Sequence, residues 1–168
     1  MKLEEINKAR YRKHLNVVIV ACIAALVIGS LGIARTLIIA WPSDTGSHFY
    51  WNLLGVVLST LAIGYTLKRY KEHPFMSEVV YVWHLKQALN QITRKLAKVK
   101  AAAEQGNVDA HHALQFYYSG CRQLWQLDDN TITMEELAIE QAKLDVLANK
   151  YNLEARADSY RPEYLKEL

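Results

Sequence analysis

Two uncharged apolar runs constrain this chain more than any other feature. Residues 15–34 and 49–67 contain no Asp, Glu, Lys or Arg over twenty and nineteen positions. A helix rises about 1.5 Å per residue, so each run can cross the roughly 30 Å hydrocarbon core of a bilayer. Backbone groups inside lipid must bond to one another, which predicts two helices. The alternatives are buried helices of a soluble core and a cleaved signal peptide, and the length and number of the runs argue against both.

Basic residues predict how these spans are oriented. They precede the first run and follow the second run in sequence, whereas residues 41–48 between the runs contain no Lys or Arg. By the positive-inside rule both termini are predicted to be cytoplasmic, with a short outer loop. A nucleic-acid or anionic-lipid site is the alternative explanation, although a net charge of +3 is too small to indicate nucleic acid. The basic residues are Lys2, Lys8, Arg10, Arg12 and Lys13 before the first run, and Lys68, Arg69 and Lys71 after the second.

Arg35 is the one charge beside the outer end of the first run. At the level of the outer head groups its aliphatic stem can lie in lipid while the guanidinium reaches water. The functional alternative is that Arg35 binds an anionic lipid or an acid of a partner. Neither run contains an acid or a histidine, which argues against a proton relay, a haem between the spans or an ion pathway.

Small residues recur every four positions within the spans: Ala21, Ala25 and Gly29 in the first, Gly55 and Ser59 in the second. Such faces let helix backbones approach closely in lipid. The pattern predicts a tight hairpin, and the same faces would equally suit an oligomer.

The region after the spans reads as helical. Pro74 is well placed to start a helix, and an apolar residue then recurs at alternating steps of three and four up to Gly106. This heptad seam predicts one helix of about 30 residues and is the surface predicted for partner binding or self-association. The seam consists of Val82, Leu85, Leu89, Ile92, Leu96, Val99 and Ala103.

Two further helices are predicted beyond Gly106. Asn107 or Asp109 can cap the first of them, whose apolar stripe Ala110, Leu114, Tyr117, Cys121 and Leu124 predicts an antiparallel partner for the seam helix. The string "KAAAEQGNVDAHHAL" resembles a helix–turn–helix junction of a helical solenoid repeat, which implies a helical hairpin here. The last helix is predicted to end near Asn152, and a short helix can follow Pro162.

The stretch "LDDNTITMEEL", residues 127–137, superficially resembles half of a calcium-binding loop. If Glu136 were the twelfth position, Trp125 and Leu127 would occupy the first and third, where acids are needed. Thr133 and Glu136 instead have the spacing of a capping box at a helix start.

Motifs that carry chemistry are missing from the sequence. The six histidines have no metal-site spacing, and no nucleotide or nucleophile-elbow motif occurs. Cys22 and Cys121 are expected to be free thiols. His14 and His73, both near the inner membrane face, could meet and respond to pH. We therefore predict no catalytic, cofactor-binding or metal-binding residue, no cofactor, no small-molecule substrate and no enzymatic activity.

Several strings together resemble one known family. They are "INKARYRKHLNVVI", "GSHFYWNLLGVV", "EVVYVWHLKQALNQITRK" and "CRQLWQLDDNTITMEELA". The resemblance, over nearly the whole chain, is to small uncharacterised two-pass inner-membrane proteins of Gram-negative bacteria, a domain-of-unknown-function family. It implies a location in the inner membrane and carries over no functional residue.

The predicted fold is all-α, with a two-helix transmembrane hairpin followed by a cytoplasmic helical hairpin or three-helix bundle. The predicted function is a non-enzymatic inner-membrane protein whose partners are lipids and a protein or a second copy. The alternative is an accessory or assembly subunit that docks in a larger complex through its spans. The predicted divisions are a basic segment 1–14, a hairpin 15–70 with spans 15–40 and 49–69 and loop 41–48, a helical domain 74–152 and a polar tail 153–168.

Overall fold

The computed structural model describes residues 1–42, 48–130, 134–153 and 160–165. Its regular elements are helices, which confirms the all-α class. The chain divides into two compact units, which we call the hairpin unit (Ala9–Val80) and the helical unit (Met1–Lys8 with Tyr81–Leu168). The α-helices are α1 (Lys8–Ala40), α2 (Phe49–Tyr70), α3 (Ser77–Thr93), α4 (Leu96–Glu104), α5 (Val108–Asp128) and α6 (Met134–Tyr151); Pro74–Met76 and Pro162–Leu165 form short 3₁₀ turns.

Helices α1 and α2 of the hairpin unit are long and apolar enough to span a membrane. They contain 33 and 22 residues and include both predicted spans. Only 6% and 11% of their apolar stretches are buried. A core helix of a soluble protein is buried on the face that meets its neighbours, and these helices instead expose most of their apolar side chains.

The two helices of the hairpin touch where their residues are smallest. A Cβ placed on Gly55 would lie 2.6 Å from the carbonyl oxygen of Ser30 and 3.1 Å from the amide nitrogen of Ala34. A Cβ on Gly29 would lie 2.9 Å from Oγ of Ser59. Gly29, Gly55 and Ser59 therefore serve the contact within the hairpin, which the sequence pattern alone leaves open.

The helical unit is built around α5, which packs against α4, α6 and the Pro162–Leu165 turn. Helix α3 meets α5 at Gly120, where a Cβ would lie 2.9 Å from the side chain of Leu89. Asn107 caps α5, its side-chain oxygen accepting a hydrogen bond from the Ala110 amide at 2.9 Å, as the sequence predicts. Helix α6 starts at Met134, while Thr133 of the predicted capping box lies outside the described residues.

The predicted single helix of about 30 residues is wrong, because α3 and α4 are separate. The Lys95 amide donates to the Ile92 carbonyl, three residues back, at 3.0 Å. The Thr93 hydroxyl donates a hydrogen bond to the Leu89 carbonyl oxygen at 2.9 Å, and a side-chain bond of this kind bends helices. The described part of the helical unit consequently has four α-helices where a hairpin or a three-helix bundle was predicted.

The residues of the heptad seam pack inside the helical unit. Apart from Leu96, which is partly buried, its residues are at most 7% exposed and belong to the core. The seam therefore faces α5 and its neighbours, and a partner of this unit has to bind another face.

Residues 1–4 and the described segment 160–165 both contact this core. The Tyr160 amide donates to the Met1 carbonyl at 2.7 Å, and the Glu4 amide donates to the Tyr81 hydroxyl at 2.8 Å. The Tyr160 and Leu165 side chains are buried. The described part of the predicted polar tail is thus packed against the helices. The short helix predicted after Pro162 is present as the 3₁₀ turn Pro162–Leu165.

Candidate functional site

A groove of about 600 Å³ lies between α1 and α2 of the hairpin unit. Its walls come from one face of each helix, and its floor comes from the 3₁₀ turn that follows α2. The lining residues of this groove are Val18, Ala21, Cys22, Ala25, Gly29 and Ile33 of α1, Ser59, Ala62, Ile63, Thr66, Leu67 and Tyr70 of α2, and His73, Phe75 and Met76 of the floor.

Short side chains keep the groove open. Ala21 and Ala25 of α1 and Ala62 of α2 contribute only a methyl group each to its walls. Two hydroxyls also line it. That of Thr66 donates its proton to the Ala62 carbonyl at 2.8 Å, and that of Ser59 lies at the close contact with Gly29. The remaining wall residues on both helices are apolar.

His73 gives the floor of the groove a polar edge. Its Nδ1 accepts a hydrogen bond from the Phe75 amide at 3.1 Å and caps the 3₁₀ turn. In the neutral ring the proton must then reside on Nε2, which is left as a donor. The ring also meets Tyr70 edge-on, with centroids 6.4 Å apart.

A buried carboxylate lies beside this floor. Glu78, in the first turn of α3, is 3% exposed. Its Oε2 accepts hydrogen bonds from His14 Nδ1 at 3.2 Å and from the Ser77 hydroxyl at 3.1 Å, and its Oε1 pairs with Arg10. The His14 ring lies 4.1 Å from the Phe75 ring. We call Arg10, His14, Ser77 and Glu78 the Glu78 cluster.

Electrostatics keep Glu78 ionised. Burial would raise its pKa, but hydrogen bonds from its own backbone amide, Ser77 and His14, together with the charge of Arg10, hold the pKa below its usual value. Ser77 and His14 both donate to the carboxylate, so the three do not form the nucleophile–base chain of a hydrolase. The contacts of Glu78 with Arg10 and His14 instead hold α1 against the start of α3.

The structure places the residues singled out by sequence as follows. His14 pairs with Glu78 and not with His73, which caps the floor instead. Arg35 is exposed, which suits either explanation of its charge. Sequence reasoning missed Glu78 and the groove. The available signal for Glu78 was an acid one turn after Pro74, close to basic residues flanking both spans.

Cys121 lies in the helical unit. Its thiol is buried, which raises its pKa to about 11 and makes it a poor nucleophile. Among the nearby aromatic side chains, Phe116 and Tyr118 are core residues, whereas the exposed Trp83 ring lies against His84.

His111 is fully buried, and its Nε2–H donates to the Leu144 carbonyl at 3.2 Å. Burial, and secondarily the neighbouring charge of His112, lower the pKa of His111 below its ordinary value of 6.5, while Asp145 opposes the shift. His112 instead approaches Tyr164, so the two adjacent imidazoles point apart.

Acidification should destabilise the helical unit through His111. The unfolded chain binds a proton near pH 6.5 and the folded one resists it, so stability falls as pH drops below about 6.5 and is flat above it. Thermal unfolding of the full chain between pH 7.5 and 5 measures the slope. The slope should shrink in His111→Gln and persist in the exposed-histidine control His84→Gln; equal slopes would contradict this assignment. Glu78 and Glu140, with lowered pKa values, add their losses only below about pH 4.5.

Within the described ranges, no three His, Cys, Asp or Glu side chains lie close enough together to hold a metal ion. A family model described as "Protein of unknown function (DUF3087)" matches residues 1–165. No curated protein and no solved structure gives a significant match.

Proposed function

The chain belongs to the DUF3087 family of proteins of unknown function, and we propose from its own geometry that it is a non-enzymatic two-span membrane protein. The spans α1 and α2 lie in the inner membrane of a Gram-negative bacterium. Both termini face the cytoplasm, and the helical unit there binds a protein partner or a second copy of the chain.

The observation that carries this proposal is the exposure of apolar side chains along both long helices. Val20, Ile28 and Leu31 of α1 and Leu61 of α2 are each more than 60% exposed. Burying one such side chain is worth about 1.5–3 kcal/mol, so water is a poor solvent for this surface. Hydrocarbon suits the middle of both helices, because the backbone groups there bond to one another within the helix.

Membrane extraction and reporter fusions test the location. We expect the chain to stay in the membrane fraction at alkaline pH. An alkaline phosphatase fused within residues 42–48 should be active outside, and one fused after Leu168 inactive, because the positive-inside rule places the basic flanks in the cytoplasm. A chain that stays dissolved without detergent, or a loop that faces the cytosol, would contradict the proposal.

The partner surface we propose for the helical unit is the outer face of α6. Ile139 and Val146 are 58% and 67% exposed, and Ala142 between them is exposed too. Residues three, four and seven apart share one face of a helix, so the three form an apolar stripe. Because the residues of the heptad seam are buried in the core of the helical unit, the exposed stripe supports the interaction proposal better than the seam does.

Crosslinking in native membranes followed by mass spectrometry tests the stripe. Ile139→Glu with Val146→Glu should reduce crosslinks of the helical unit to a partner or second copy at least about tenfold, because charged groups are costly to bury in an interface. Asn90→Glu with Ala97→Glu adds the same charge at exposed positions of α3 and α4 and should leave them unchanged. Crosslinks that survive in both variants would eliminate this surface.

The alternative role, a subunit that docks in a larger complex through its spans, has less support. It relies on five small residues, and three of them, Gly29, Gly55 and Ser59, are occupied by the hairpin contact. Ala21 and Ala25 remain, and both line the groove.

A further inference from the structure

We propose that the groove of the hairpin unit binds one hydrocarbon tail of an anionic phospholipid, with the head group at the His73 end. This inference rests on the proposed membrane location. Inside a bilayer an apolar groove cannot hold water and does not stay empty, because its lining would lose dispersion contacts. Its occupant must come from the membrane: either a lipid tail or a helix of another chain.

The size of the groove favours the tail. Its lining runs from Val18 to Ile33 on α1, which corresponds to roughly 22 Å of helix. The groove holds about 600 Å³. An extended hydrocarbon chain can lie inside it along its whole length, whereas a helix of another chain, about 10 Å across with its side chains, could place only one face against it.

Charge at the inner end favours an anionic head group. Lys68 and Arg69 follow the groove residue Leu67 in the last turn of α2; both side chains are exposed and lie outside the lining, near its inner end. His73 offers its Nε2–H at the floor. The neighbouring acid Glu78 is already compensated by Arg10 and His14. A phosphate at the cytoplasmic interface would thus meet donors and cations, as expected for basic residues next to a membrane span.

Native mass spectrometry of the full-length protein, extracted from vesicles of phosphatidylglycerol and phosphatidylcholine, tests the site. We expect the chain to retain one phospholipid, with phosphatidylglycerol preferred. Ala25→Phe fills the groove and should lower the retained fraction at least about tenfold. Ala24→Phe, on the same helix but outside the lining, is the matched control and should retain the lipid. Ala62→Phe repeats the block from the opposite wall, which guards against a misfolded Ala25→Phe.

The head-group contact has its own variant. Lys68→Gln with Arg69→Gln should reduce the preference for phosphatidylglycerol about tenfold or more, at roughly 1 kcal/mol per cation near an anionic lipid, while a tail is still retained.

The outcomes separate cleanly. Equal lipid retention in wild type, Ala24→Phe and both groove-filling variants would overturn the groove as the site. A dimer that Ala25→Phe abolishes, without retained lipid, would show that a second copy occupies it. Release of the chain from membranes at alkaline pH would instead refute the membrane location. That result is independent of lipid retention, so the two failures are distinguishable.

Discussion

Replacing Gly55 with Ala is expected to force α1 and α2 apart. The added Cβ would lie 2.6 Å from the Ser30 carbonyl oxygen and 3.1 Å from the Ala34 amide nitrogen. Both are backbone atoms of a helix, and neither can rotate away. Overpacking of this kind costs about 1–3 kcal/mol and more where the backbone must move. Gly29→Ala should have a smaller effect, because its nearest neighbour is the Ser59 hydroxyl, which can change rotamer.

Gly64 supplies the matched control for this substitution. It lies on the same helix, and a Cβ there meets nothing within 4 Å. Spin labels at the exposed positions Leu31 and Leu53, in a chain without Cys22 and Cys121, report the separation of α1 and α2 in detergent. We expect the distance between the two spin labels to increase, and the unfolding midpoint to fall, in Gly55→Ala only. Identical distances in Gly55→Ala and Gly64→Ala would refute the close contact.

The hairpin shows what a spacing pattern can and cannot determine. Small residues every four positions correctly indicate a close approach of helices. The pattern does not distinguish Ala21, Ala25 and Gly29, although all three line the groove and Gly29 also lies against Ser59 of α2. Which of them touches α2 depends on where the helices cross, and a one-helix periodicity contains no information about that.

The seam helix illustrates a second limit. Its apolar period is continuous from Val82 to Ala103, so the sequence predicts one helix. The break arises where the Thr93 hydroxyl bonds to the Leu89 carbonyl and the Lys95 amide bonds to the Ile92 carbonyl. The Lys95 side chain also donates to the Leu165 carbonyl at 2.8 Å. That acceptor lies 70 residues away in sequence. The apolar periodicity of one helix cannot predict a hydrogen bond between residues so far apart in sequence.

Glu78 was overlooked for the same reason. In sequence it is an ordinary first-turn acid, favourable at a helix N-terminus. Its burial and its bond to His14 depend on α1 returning alongside the start of α3, across 64 residues. Residue types and periodicity predicted α1, α2, the Asn107 cap of α5 and the end of α6, whereas the break between α3 and α4, the polar cluster and the groove are products of tertiary packing.

Replacing Phe116 with Ala is expected to be the most damaging single change in the helical unit. Phe116 on α5 is fully buried and stacks on Tyr160, with ring centroids 5.2 Å apart. Truncating such a residue removes its transfer free energy and leaves a cavity, at a cost of about 3–5 kcal/mol. For a unit of this size, that loss lowers the unfolding midpoint by at least about 10 °C.

The position of Tyr160 gives the Phe116 prediction a local signature. The Tyr160 amide is bonded to the Met1 carbonyl, so a loosened ring should also free the N-terminal residues. Hydrogen exchange of the full-length protein should therefore accelerate in peptides covering residues 1–7 and 160–165. Trp83→Ala removes an aromatic ring that is 57% exposed and is the control; it should change neither the midpoint nor these peptides appreciably. Equal effects of the two substitutions would show that Phe116 does not hold the two chain ends on the core.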